Sequence, residues 1–463
     1  MQNKENSTSS EFLQFQRMTT APIRGLIIMM AIPTIISMLV TSLYNMADTY
    51  FVSQLGKSAS GAVGVVYSLM AVIQALGFTL GMGSGSLISR SLGKRDKEYA
   101  DRVGNGAFFL ALAIGIITSV AGLLFLDPLM QVLGATETVL PYARDYARYI
   151  LFGAPVMMGS FVLNNILRAE GKARASMFGL ASGGILNILL DPIFIYSFHL
   201  GISGAAIATL ISQCVSFVLL LIPFVAKKSV ISMNIGKMSR FFSDYLEIIR
   251  TGLPSFCRQG LASISTIFLN RMAGEFGGDA ALSGMSITSK IFMLIFCVGL
   301  GVGQGYQPVV GYNYGAGLWK RVRSAFRFTW LVNTCTLTFF GLLSFLFADH
   351  LLPLFIDDPE VIQIGATALR FQAISMPLIS TNVICNMTFQ SSGQKTKAVL
   401  LSSCRQGFFF LPLVFLLPML LGLTGVEMVQ AASDVATFFV SLPFAIGFHR
   451  WVTKKAEESP LPV

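Results

Sequence analysis

The sequence predicts an all-α polytopic membrane protein with twelve transmembrane helices in two pseudo-symmetric six-helix lobes. Three observations carry this. Of 463 residues, 54% are hydrophobic and 12% charged, against about 25% charged in ordinary soluble domains. Apolar runs of about twenty residues follow one another along nearly the whole chain, each long enough to span a bilayer as a helix. And the second half repeats the first at an offset of 220 to 222 residues.

The expected spans are 25–52, 61–87, 105–127, 146–167, 175–198, 203–226, 250–273, 281–311, 327–348, 366–390, 398–420 and 424–448. They divide the chain into an N-terminal segment 1–24, a first lobe 25–226, a basic inter-lobe loop 227–249, a second lobe 250–449 and a tail 450–463. The residues through Arg17 are polar and no cleavable signal follows, so the first span is read as the insertion signal.

The repeat is legible residue by residue. Ile32-Pro33 answers to Leu253-Pro254, and the Gly81–Gly85 run to Gly301–Gly305. Leu92-Gly93 answers to Tyr314-Gly315, Pro155 to Pro377, Gly171 to Gly393, and Gly201–Gly204 to Gly422–Gly425. An even number of spans per half gives both halves the same orientation. Parallel repeats related by an axis along the membrane normal are a transporter signature, with substrate handled where the repeats meet.

Of the 33 Lys and Arg, 25 fall on the side of the N-terminus, 5 on the opposite side and 3 (Arg258, Lys290, Arg405) within spans. This asymmetry predicts that both termini are cytoplasmic. It also accounts for the net charge of +10, so no nucleic-acid partner is expected. Trp319, Trp330 and Trp451 all fall near cytoplasmic span ends, as an interfacial aromatic belt requires. The six cysteines lie inside spans and read as buried thiols. His199, His350 and His449 are scattered at span ends without metal-ligand spacing, and the glycine runs lack Walker spacing, so they read as sites of close helix packing. No cofactor, ATP site or nucleophile–base constellation is expected, and the chain is read as a non-enzyme.

Chemistry concentrates in two stretches. Asn187-Ile188-Leu189-Leu190-Asp191-Pro192 and Tyr44-Asn45-Met46-Ala47-Asp48 each put a carboxylate inside an apolar run. Asn187 and Asp191 are four apart, as are Tyr44 and Asp48, so each pair shares a helix face. An ionisable residue in a span is costly and normally faces a protein interior or a watery cavity. A low dielectric and a like-charged neighbour both favour a neutral carboxyl, which suits a proton relay. Alternatively, Asp48, Asn187 and Asp191, with the Thr209 hydroxyl of the sixth span, offer the oxygens that Na⁺ prefers. Pro33 lies about four turns before Asp48 on the same helix, so a kink there can respond to the charge on that acid. By the offset, Leu269 or Asn270 and Pro412 or Leu413 stand where the second half would repeat the acids. Ion coupling is therefore expected in the first lobe alone.

Further candidates are expected to line a substrate cavity: Arg258 and Asp434 among the charged residues of the second half, Gln304, Gln307 and Asn313 as a polar wall, and Met157, Phe161, Met285 and Met293 as an adaptable apolar surface.

Taken together, Tyr44–Thr49 with Leu55-Gly56, Leu92-Gly93-Lys94, Arg168-Ala169-Glu170-Gly171, Asn187–Pro192, Gly303–Pro308 and Gly311–Gly315 resemble the multidrug and toxic compound extrusion (MATE) family, from about Arg24 to Arg450. The seventh and tenth spans lack acids, which is more similar to the prokaryotic DinF-like branch with its MepA-like exporters than to the NorM-like branch. The resemblance implies a V-shaped cavity between two lobes, alternating outward and inward states, and a monomer in the plasma membrane. It implies export of small-molecule drugs and toxins, amphipathic and often cationic, driven by inward H⁺ or Na⁺. Its coupling site falls on Asp48, Asn187, Asp191 and Thr209, with Tyr44 nearby and Pro33 as hinge. The alternative within the wider superfamily is a lipid-linked oligosaccharide flippase, for which Arg258, Lys290 and Arg405 are the cavity cations.

Overall fold

In the computed structural model the described residues, 2–458, form helices and no strands. Met1 and the last five residues of the expected tail lie outside the described residues, as do the side chains of residues 2–10 and Lys57, so Lys4 and Lys57 of the charge count are not placed. A helix, Gln2–Thr20, precedes the first span. The first lobe comprises α1 (Ile23–Ser53), α2 (Lys57–Gly93), α3 (Lys97–Leu124), α4 (Leu140–Ala169), α5 (Ala173–Pro192, ending in a π-helical turn Ile193–Ser197) and α6 (Gly201–Val225). Phe242–Gly315 is continuous in hydrogen bonding but breaks at Gly278, where φ is 61°. It therefore contains two spans, α7 before Gly278 and α8 after it. The second lobe continues with α9 (Trp319–Leu346), α10 (Pro359–Ser392), α11 (Lys395–Leu421) and α12 (Leu423–Glu458). The twelve expected spans are thus present.

Two boundaries differ from expectation for physical reasons. α7 starts at Phe242, eight residues before the apolar run, because its polar first turns pack on the other lobe. α10 is 34 residues long yet more polar than the other spans, because Gln372, Asn382, Asn386 and Gln390 all turn into the lobe interior, where they are buried. A membrane span with a polar face is stable when protein, not lipid, covers that face. Its ends carry clear stop signals. Asp358 accepts from the amides of Glu360 and Val361 with Pro359 in the first turn, and Gly393 closes the helix at φ 83°.

The repeat seen in sequence is physical. Asn164 of α4 donates to the Ser176 carbonyl and hydroxyl of α5 at 3.2 and 2.7 Å. Asn386 of α10 donates to the Ala398 carbonyl and the Ser402 hydroxyl of α11 at 2.7 and 2.6 Å. Each ties the fourth helix of its lobe to the fifth. Pro33, Pro155, Pro254 and Pro377 all fall inside helices.

The lobes meet backbone to backbone in the half of the molecule that bears the termini and the basic loops. A Cβ on Gly252 would stand 1.8 Å from the Thr79 carbonyl oxygen, and one on Gly83 2.2 Å from that of Ile248. Only glycine permits α2 and α7 to cross this closely. Gly301 and Gly305 of α8 press likewise on Ile35 and Ala31 of α1, on either side of Pro33.

The chain between the lobes is bound to the first lobe. Glu170 is fully buried and accepts from the amides of Val230 and Ile231 at 3.0 Å each and from the Ser229 hydroxyl. Asp101 accepts from the Ser232 amide and hydroxyl and from Lys237 Nζ at 2.8 Å. Asn105 exchanges bonds with Ser232 and Asn234. Ser239 instead joins α7. Its hydroxyl donates to Asp244 at 2.5 Å and its carbonyl accepts from the Tyr245 hydroxyl.

Candidate functional site

The two acidic stretches converge. Asp48 lies about a turn from the end of α1 and is buried. Its Oδ2 accepts from the Tyr146 hydroxyl of α4 at 2.9 Å. Asp191 occupies the last turn of α5 and is fully buried. Asn187, one turn earlier on the same face, donates from Nδ2 to Asp191 Oδ1 at 3.1 Å and to the Thr209 hydroxyl of α6 at 3.2 Å. α1 packs on α5 along this face, where Gly184 meets Val40 and Tyr44, the latter also buried. Four helices of one lobe therefore supply one polar pocket.

Three buried oxygens in that pocket have no hydrogen-bond partner: Asp48 Oδ1, Asp191 Oδ2 and Asn187 Oδ1. Neither carboxylate forms an ion pair among the described residues, and the ion pair in the membrane interior, Arg405 with Asp434, belongs to the other lobe. Two uncompensated carboxylates inside a membrane protein are strongly unfavourable. The chemistry of such a pocket suits positive charge. A proton on one carboxyl relieves it, and so does a hard monovalent cation held by the three free oxygens and Thr209 Oγ1, since such ions favour oxygen ligands. Among the described residues no group of three His, Cys, Asp or Glu has metal-binding geometry.

Sequence reasoning missed Tyr146. It sits within an apolar span where an uncharged polar residue is unremarkable, and only the folding of the first lobe brings it to Asp48. The signal that was available is the Arg144-Asp145-Tyr146 run, which carries polar groups into the start of α4.

The expected cavity residues separate into three groups. Met157 and Met285 are enclosed in the lobe cores, at 1% and 0% exposure, and do not line open space in this conformation. Phe161 packs its ring on that of Phe78 between α4 and α2, with centroids 4.6 Å apart and planes tilted by 38°, and Met293 is exposed. Gln304, Gln307 and Asn313 are also buried, and they form the seam between lobes. Gln304 accepts from Arg168 at 2.6 Å, and Gln307 donates to Ser86 at 3.2 Å and to Gln390 at 3.1 Å. Asn313 donates to the Met18 carbonyl at 3.1 Å and accepts from Arg321 at 2.8 Å. A polar wall was expected, and in this state it is zipped shut on the side of the termini. Arg258 is half-buried and lines a small bay of the second lobe, and Asp434 is buried behind it, paired with Arg405.

Two similar six-helix lobes, sealed against each other on one side and with a pocket of buried acids in one lobe, define a membrane transporter of the two-repeat kind. The comparisons with known proteins agree. The chain belongs to the MatE family, whose model matches residues 33–193 and 254–416. It is 28% identical over 414 residues to the multidrug export protein MepA of Staphylococcus haemolyticus strain JCSC1435, covering 89% of this chain and 91% of that one. The structure is similar to a crystal structure of a MATE protein in complex with MaL6, with a TM-score of 0.90 at 29% identity, covering 95% of this chain and 99% of the other. It is equally similar, with a TM-score of 0.90 at 29% identity, to the outward-facing conformation of a multidrug resistance MATE family transporter of the MOP superfamily, with 95% and 98% coverage.

Proposed function

We propose that this protein exports amphipathic organic compounds, many of them cationic, across the plasma membrane in exchange for H⁺ or Na⁺, with both termini in the cytoplasm. The observation that carries this reading is the pocket of Asp48, Asp191 and Asn187, with three buried oxygens left unpaired. The similarity to a multidrug export protein supports the substrate class, and the excess of Lys and Arg on the side of the termini supports the orientation. With that orientation the seam closes the cytoplasmic side and the cleft between the lobes faces out.

In the cycle, the coupling ion enters from outside and neutralises the pocket of Asp48 and Asp191. Loss of that negative charge weakens the hold on a cationic substrate and removes the electrostatic cost of closing the outer cleft. The lobes then rock, the seam opens, and the ion leaves inward while substrate enters. Coupling requires ion and substrate to favour different states, because a ligand with equal affinity for both shifts nothing. Pro33 is the joint at which α1 carries the charge state of Asp48 to the seam, since Ala31 and Ile35 flank it and press on α8.

The test is ethidium efflux from proteoliposomes with a pH gradient or a Na⁺ gradient imposed separately, for wild type, Asp48→Asn and Asp191→Asn. Efflux driven by one gradient and lost in both variants, with folded protein in each, is the expected result. Undiminished gradient-driven efflux in Asp191→Asn overturns the coupling assignment, and no efflux from wild type under either gradient overturns export of organic cations.

A further inference from the structure

Two guanidinium groups of the second lobe face one bay, Arg258 and Arg405. Arg405 of α11 donates from Nε to Asp434 Oδ1 at 2.7 Å, and its guanidinium lies over the rings of Phe296 and Phe292, at 4.7 and 5.4 Å from their centroids. Its Nη2 is buried with no partner. Asp434 is already saturated, accepting also from Ser375 at 3.2 Å and Gln430 at 3.0 Å. Arg258 of α7 faces the same bay, beside Phe296, Asn386 and Gln406, and has no ion-pair partner among the described residues. Arg168, buried at the floor of the first lobe, bonds to neutral partners, Gln304 and Asn165. The carboxylate beside the bay, Asp434, is thus taken up by Arg405, Ser375 and Gln430, and Arg258 is left without a counter-charge there.

A buried charge without a counter-charge is costly, and guanidinium groups match the planar oxygens of carboxylate and phosphate. The bay has about 20 Å³ of free space, on the order of the room one water oxygen needs. It admits the oxygen of an anionic head and leaves an apolar body outside, where the Phe292 and Phe296 rings begin.

The geometry points to an oxyanion subsite at Arg258 and Arg405, which holds the carboxylate or phosphate of an amphipathic molecule whose aromatic body lies in the cleft. This rests on the export reading above and extends its substrate class from cations to zwitterions and organic anions. The acids of the first lobe and the guanidinium groups of the second then read opposite ends of one zwitterion.

The experiment uses purified full-length protein in detergent and fluorescence polarisation with a matched pair of xanthene dyes, one with a free carboxylate and one with that group as its ethyl ester. Wild type is compared with Arg258→Gln, which orphans no partner, and with Arg405→Lys, which keeps a charge on Asp434 but loses the forked donor. The free acid is expected to bind wild type more tightly than the ester and to lose about tenfold or more in affinity in each variant, as for a charged hydrogen bond. Ester binding is expected to be unchanged. Equal loss for acid and ester, or no preference for the acid in wild type, overturns the subsite. Competition by short-chain phosphatidate that disappears in Arg258→Gln supports the subsite with lipid phosphate as its source. No such competition, with the acid preference intact, supports a carboxylate-bearing substrate. Ethidium, which has no acidic group, reports on the export reading independently, so the two readings fail separately.

Discussion

Replacing Gly252 by Ala tests whether the glycine seam sets the balance between states. The added Cβ would stand 1.8 Å from the Thr79 carbonyl oxygen and 2.6 Å from its carbon. Ordinary contact begins near 3.4 Å, so α2 and α7 must part by roughly 1.5 Å. Both obstructing atoms are backbone, so no side chain can swing aside. Overpacking of this kind costs about 1–3 kcal/mol. Here the cost falls only on the state in which the seam is closed, and it shifts the equilibrium toward the seam-open state by about 5- to 150-fold. The assay is the rate at which a water-soluble maleimide labels Ser86→Cys from the side of the termini, with the six native cysteines replaced. Ser86 is 2% exposed and bonds Gln307 across the seam, so labelling is slow in the parent. It should accelerate in Gly252→Ala and remain slow in the control Gly260→Ala, whose Cβ meets nothing within 4 Å. Equal labelling rates in parent and Gly252→Ala, with unchanged ethidium efflux, would refute the reasoning.

Tyr146→Phe removes the one hydroxyl that donates to Asp48. A hydrogen bond to a charged group contributes about 1.5–3 kcal/mol, so the ion concentration that half-maximally drives efflux should move about tenfold or more while the protein stays folded, and an unmoved titration would separate Tyr146 from coupling. Asn164→Ala and Asn386→Ala should each destabilise by about 1–3 kcal/mol, because buried acceptors lose their donor. Thermal denaturation in detergent should show similar losses, and a loss at one site alone would contradict the equivalence of the two lobes.

The spans and the repeat were legible because hydrophobicity and glycine spacing are local properties of the chain. The paired turns at Gly171 and Gly393, with φ of 85° and 83°, recur because both lobes end their fourth helix alike. Asp191 and Asn187 were legible because a charge in hydrocarbon is rare and helix periodicity fixes its neighbour. What packing decides was not legible. Met157 and Met293 look alike in sequence, yet one is enclosed and the other exposed, since an apolar side chain suits a lipid-facing and a protein-facing position equally. Gln304 and Gln307 were read as cavity wall from their polarity, and only the approach of the lobes shows them bonded across the seam. Glu170 sits in a recognisable stretch, but its partners lie about sixty residues away in a loop without regular structure.

The way that loop is fastened has a mechanical consequence. Lys237 is bound to Asp101 of the first lobe, and Ser239 is bound to Asp244 and Tyr245 of the second. Met238 is the residue between them. What looks like a slack strap of more than fifteen residues is anchored to both lobes at positions two residues apart, about 7 Å at most along the backbone. So short a link resists separation of the lobes on that side and leaves room to pivot, and a small angular change at the link becomes a large sweep at the far rim, as with the blades of a pair of tongs.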